Sequence, residues 1–138
     1  MVDQATLDQM LSNLRGYLGR LRDLAAVPRE TFLANDDKIG NAKYHLVIAI
    51  ECCIDIANHV IASENYRFPA DNADSFAVLV EHGVVPPESR ETLGAMARFR
   101  NRLVHLYWDV DDARVHDYLQ NDLDDLARFG ECIARHRW

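Results

Sequence analysis

Residues 39–63, IGNAKYHLVIAIECCIDIANHVIAS, decide the fold. Apolar side chains recur there every three to four positions and also fill most of the places between. A helix over Ile39–Ser63 is therefore apolar around most of its circumference, and such a helix belongs at the centre of a core. Glu51, Asp55, Asn58 and His59 interrupt the run. Centrally placed acids are too costly in lipid for this stretch to read as a membrane span.

Working outward, Leu7, Met10/Leu11, Leu14, Leu18 and Leu21 mark a helix over Thr6–Ala25, stopped at Val27-Pro28. Arg29–Ala34 reads either as a short turn of helix before Asn35-Asp36-Asp37 or as the start of the next element. Glu64–Ala73, which contains Pro69, is a connection. Asp74 or Ser75 then caps a short helix that runs to Glu81 and is ended by Gly83. Pro86-Pro87-Glu88 opens a further helix with Leu93, Met96, Phe99, Leu103 and Leu106 on one stripe. The last helix is expected over Ala113–Arg135, with Val115, Tyr118/Leu119, Leu123, Leu126 and Phe129/Gly130 facing inward. The reading is all-α: one domain over residues 1–138, an up-and-down bundle of four main helices plus short ones.

Composition narrows the function. The chain has 138 residues and a formal net charge of −7, which argues against broad coating of nucleic acid, since that affinity comes from Lys and Arg neutralising phosphates. Of fifteen basic residues only Lys38 and Lys43 are lysines. The rest are arginines, suited to bidentate contacts with phosphate or carboxylate. The N-terminal MVDQATLDQM lacks the charged and apolar regions of a secretory signal, so a cytoplasmic protein is expected. Cys52, Cys53 and Cys132 form no disulfide framework and read as reduced thiols.

The densest chemical signal is Arg98-Phe99-Arg100-Asn101-Arg102-Leu103-Val104-His105-Leu106-Tyr107. Phosphodiester cleavage without a metal needs a proton-transfer group near neutrality and a cation to stabilise the charged phosphorane. His105 and the arginines supply both. On a straight helix, however, Arg100 and His105 stand about 140° apart, so they do not converge unaided. The expectation is that the helix ends or distorts near His105 and that two protomers pool their residues across a dimer axis. Arg98, Arg102 and His105 fall along one exposed stripe. The competing reading has the arginines bridging acids of a neighbouring helix and nothing more.

Glu51, Asp55 and His59, spaced i, i+4, i+8, are each of a metal-ligating type. Three such groups on one helix span about 12 Å along its axis, too far for one ion. They are better read as acids and a histidine that surround and orient Arg100 and Arg102. No metal and no cofactor is expected, for there is no Walker loop, GxGxxG or zinc motif.

Arg100-x4-His105-x-Tyr107 within FRNRLVHLYWDVD (99–111) resembles the signature of HEPN-domain ribonucleases, specifically the HepT toxin family. The stretches AKYHLVIAIECCIDIANHVIASE (42–64) and FAVLVEHGVVPPE (76–88) are similar to the preceding part of HepT proteins. The resemblance runs from about Thr6 to Phe129. It implies a HEPN-like bundle, a homodimer with the motifs at its cleft, and metal-independent cleavage of tRNA or mRNA. Arg100 and His105 would form the catalytic pair, with Asn101 the polar residue beside the arginine and Arg98 and Arg102 binding RNA. It also implies a partner, an MntA-type nucleotidyltransferase antitoxin that transfers AMP to the motif tyrosine, here Tyr107. The alternative is a non-catalytic HEPN subunit that only binds the nucleotidyltransferase or presents its substrate.

Overall fold

The computed structural model describes the backbone of residues 1–138 and every side chain but that of Tyr107. Helix α1, Gln4–Ala25, begins where the Asp3 carboxylate accepts from the amides of Ala5 and Thr6. Its six buried leucines (Leu7, Leu11, Leu14, Leu18, Leu21 and Leu24) form a single stripe. Helix α2, Arg29–Leu33, is a separate short turn and not the start of the next element. Helix α3, Asp36–Ser63, starts three residues earlier than expected because Asn35 caps the Lys38 amide. Asp36 and Asp37 occupy its first turn, where the helix dipole favours negative charge.

Helix α3 is the axis of the molecule and packs against every other helix. By length and composition alone it could cross a membrane, with a mean hydropathy of 1.7 over its most apolar window, yet 56% of that window is buried inside the bundle. Helix α4, Asn72–Glu81, is capped by Asp71 rather than by Asp74 or Ser75. It ends as expected at Gly83, whose φ of 70° is one that side chains disfavour. The Gly83 amide donates to Val80 and the Val84 amide to Leu79, the bond pair of a Schellman cap.

Two expectations fail, both for local reasons. Helix α5, Ser89–His105, buries Leu93, Met96, Phe99 and Leu103 but not Leu106, which is 42% exposed. Leu106 is the C-cap, with φ −135° and ψ 37°, so the stripe ends before reaching it. A 3-10 turn, Tyr107–Asp109, follows. The single last helix is in fact two, α6 (Asp112–Asn121) and α7 (Leu123–Arg135), broken at Asp122 with φ −117°. Asn121 and Asp122 are poor mid-helix residues because their side chains compete for backbone partners, and the Asn121 amide indeed donates to the Asp117 carbonyl. The break lets α6 pack on α2 while α7 runs along α1.

Candidate active site

Arg100 lies in the last turns of α5, facing α3. Its Nε and Nη2 both donate to Oε1 of Glu51, at 3.2 and 2.6 Å, and its Nη1 donates to Oδ1 of Asn101 at 2.9 Å. Its side chain is only 21% exposed, so the guanidinium is largely withdrawn from water and its plane is held on two edges. Five N–H groups are available and three bonds are made here, which leaves donors for an anion. Glu51 lies midway along α3 on the face turned toward α5.

Asp55 stands one turn further along α3. It makes no hydrogen bond to either arginine among the described residues, but it is electrostatically part of the cluster. Partial desolvation raises its carboxyl above the usual range, Glu51 raises it further, and Arg100 acts in the opposite sense. The expected third member, His59, is not there. Four residues turn a helix by about 400°, so an i, i+4, i+8 series drifts by roughly 80° and 12 Å. His59 is half-buried near the far end of α3, its Nε2 has no partner among the described residues, and its charge is felt at Asp3.

Arg102 also departs from expectation. It reaches neither Glu51 nor Asp55 but pairs with Asp109 at 3.7 Å, in an exposed contact of little energetic weight. Arg98 is exposed as expected, and its guanidinium folds back over Gly94, 3.4 Å from where a Cβ at that position would lie. Arg98 and Arg102 thus share a stripe while their charges point apart.

His105 is the last residue of α5 and is exposed. The helix ends there, as the sequence required if Arg100 and His105 were not to stay on rigidly separate faces. At this end the apolar side chains Val104 and Leu106 are 42% exposed and Trp108 is 72% exposed. The sequence pattern gave no warning of this at Leu106, which counted as core. The side chain of Tyr107, the expected modification site, lies outside the described residues.

Among the described residues no group of three His, Cys, Asp or Glu side chains is placed to hold a metal ion. All three thiols are free. Burial pushes Cys52 up to about 11, and burial likewise raises Cys53 and Cys132, so none is an activated nucleophile.

The family model for HepT-like ribonucleases matches residues 14–133. The mRNA nuclease HepT of Shewanella oneidensis is 31% identical over 105 residues, 76% of each chain. The tRNA nuclease HepT of Aphanizomenon flos-aquae is 22% identical over 114 residues, 83% of this chain and 78% of that protein. Among solved structures, the tri-AMPylated HEPN toxin of Shewanella oneidensis in complex with an MNT antitoxin superposes with a TM-score of 0.86 at 22% identity. That match covers 94% of this chain and 97% of the other. YutE of Bacillus subtilis superposes with a TM-score of 0.82 at 20% identity, covering 96% and 89%. With the match spanning nearly the whole bundle and including the Arg100–His105 segment, the chain belongs to the HepT-like ribonuclease family, and its bundle is the HEPN fold.

Proposed function

We propose that this protein is the toxin of a HepT/MntA-type pair, a metal-independent endoribonuclease acting on tRNA or mRNA in the cytoplasm. The observation that carries the reading is the Arg100 guanidinium, fixed by Glu51 and Asn101 beside a helix that stops at His105. Arg100 binds the scissile phosphate and stabilises the charge that builds on its oxygens. His105 takes the proton of the ribose 2′-OH, whose oxygen attacks phosphorus. The 5′-oxygen leaves with a proton from the second acid, leaving a 2′,3′-cyclic phosphate. Asn101 keeps the guanidinium plane oriented, and Arg98 and Arg102 hold flanking phosphates.

Five residues of helix separate Arg100 from His105 by about 7.5 Å along the axis. One protomer therefore presents one proton-transfer group near each bound phosphate, and a homodimer supplies the other from its partner's motif. The exposed Val104, Leu106 and Trp108 support such a pairing, since apolar side chains at a motif edge gain by being covered. Transfer of AMP to Tyr107 by an MntA-type nucleotidyltransferase would place bulk and negative charge beside the arginines and repel RNA.

The test is incubation of partner-free protein, checked by intact mass, with total tRNA and an mRNA in EDTA, alongside Arg100→Ala and His105→Ala. Cleavage by wild type and none by either variant is expected. Silence at unmodified mass would sink the ribonuclease reading and leave a non-catalytic partner subunit. Silence with added adenylate masses identifies the neutralised toxin, and removing the adenylate should then restore cleavage.

A further inference from the structure

One guanidinium and two carboxylates meet where α5 passes α3. Glu51 accepts from Nε and Nη2 of Arg100, and Asp55 stands one turn further along α3. Four residues turn a helix by about 400°, so Asp55 leaves the direction of Glu51 by only about 40° while rising about 6 Å. Asp55, Asn58 and Ala62 are exposed and continue the stripe that begins with Glu51, so this strip of α3 runs along the open side of the bundle. Asp55 accepts no hydrogen bond and joins no ion pair among the described residues. Two charged groups face it, Glu51 from its own helix and Arg100 from α5. The Cys52 thiol beside it also feels its charge.

The other two arginines of the motif do not redress the balance. Arg102 pairs with Asp109, and Arg98 folds back over Gly94. With Asp55 ionised, two carboxylates therefore stand against one guanidinium at the place where a phosphate would have to enter. We propose that Asp55 sets the charge state in which the Arg100 site accepts RNA: its carboxylate weakens phosphate binding, and protonating it or removing its charge strengthens that binding. The inference rests on the phosphate-binding role proposed for Arg100. It adds a residue that opposes the substrate beside the one that holds it.

The direction of the proton linkage follows from the same groups. Partial desolvation and the Glu51 charge already hold the Asp55 carboxyl above the usual range, with Arg100 opposing them. A phosphate seated on Arg100 brings a further negative charge and raises that carboxyl again. Binding therefore takes up a proton as pH falls through the interval between the free and the bound values. Affinity rises on acidification through that interval and levels off below it.

The test is binding of labelled oligouridylate, whose bases take up no proton in the range used, followed by anisotropy from about pH 8 to about pH 5 at fixed salt. The parent protein is His105→Ala, which removes both cleavage and the titration of that histidine. Asp55→Asn and Asp23→Asn are each added to it, the second removing the same charge from an exposed position on α1. Asp55→Asn is expected to bind about tenfold more tightly at pH 7, the equivalent of one pKa unit, and to lose most of the rise on acidification. Asp23→Asn should follow the parent within about twofold, because distant surface charges are screened. Thermal midpoints should agree, since Asp55 has no hydrogen bond to lose. Equal affinity and parallel pH curves for Asp55→Asn and the parent would overturn the inference and leave the Arg100 site standing. An equal gain from Asp23→Asn would overturn it too, as an effect of net charge alone. RNA binding by none of the three would remove the ribonuclease reading itself, and the role of Asp55 with it.

Discussion

Glu51 spends its charge on one arginine that the proposed reaction needs. Replacing it with Gln keeps the shape and removes the charge that pins the guanidinium. Stability should fall by only about 1 kcal/mol, because the carboxylate is partly solvated. Cleavage should fall by roughly 10- to 100-fold, the scale set by a misplacement of about 1 Å at a reacting centre. Single-turnover rates and urea midpoints measured together check this, and equal losses of rate in Glu51→Gln and in a stability-matched core variant would refute it. The Glu51–Arg100 pairing itself was legible in the sequence, because acids on a core helix need cations and the arginines of 98–102 were at hand. The sequence did not show which arginine would be chosen, since a step of two helical positions decides between Arg100 turning inward and Arg102 pairing with Asp109. The cysteines make a second residue-level expectation. With Cys52 near 11, about one part in a thousand is thiolate at pH 8, so alkylation of native protein should be slow at all three thiols and rapid after denaturation. Mass spectrometry of a timed iodoacetamide reaction reads this directly.

At the scale of elements, the glycine stop at Gly83 was readable, whereas the side-chain caps at Asn35 and Asp71 start α3 and α4 earlier than the spacing of the apolar residues suggests. The end of α5 near His105 was expected from the separation of Arg100 and His105 around a straight helix. The break at Asp122, where Asn121 and Asp122 compete for backbone partners, was read as continuous helix because the apolar spacing runs on through Leu119, Leu123 and Leu126. The α3–α4 connection shows the same limit, for Arg67 draws its partners from seven and fourteen residues away. Its consequence is a pH dependence. Arg67 holds the Asp74 carboxyl far below the usual carboxylate range, with help from the Ala70 amide, and it lowers Glu81 as well. A carboxylate depressed in the folded state contributes stability above its unfolded value, near 3.9 for Asp, and loses that contribution as pH falls toward the folded value. The gap in urea midpoint between wild type and Arg67→Gln should therefore be constant above about pH 5 and close below about pH 4. A gap that widens on acidification would contradict the assignment.

On the proposed function an acidic chain meets a polyanionic substrate, and the arginines near the helix end would carry the contact with phosphate. The number of phosphates engaged is measurable. For single-stranded nucleic acid the logarithm of affinity falls with the logarithm of salt concentration with a slope of about −0.7 per neutralised phosphate. Arg98, Arg100 and Arg102 of one protomer would give roughly −2, and the same three from both protomers at one cleft roughly −4. Binding of labelled RNA by His105→Ala, followed by fluorescence anisotropy from low to moderate salt, distinguishes the two. A slope near −4 is expected, because Arg100 and His105 of one chain stand too far apart around α5 to enclose a phosphate alone. Removing Arg98 should then shallow the slope by more than one unit, since each substitution is present twice. A slope near −2 that changes by less than one unit would mean that each bundle holds RNA on its own, and the shared cleft would have to be abandoned while the Glu51–Arg100 clamp could stand.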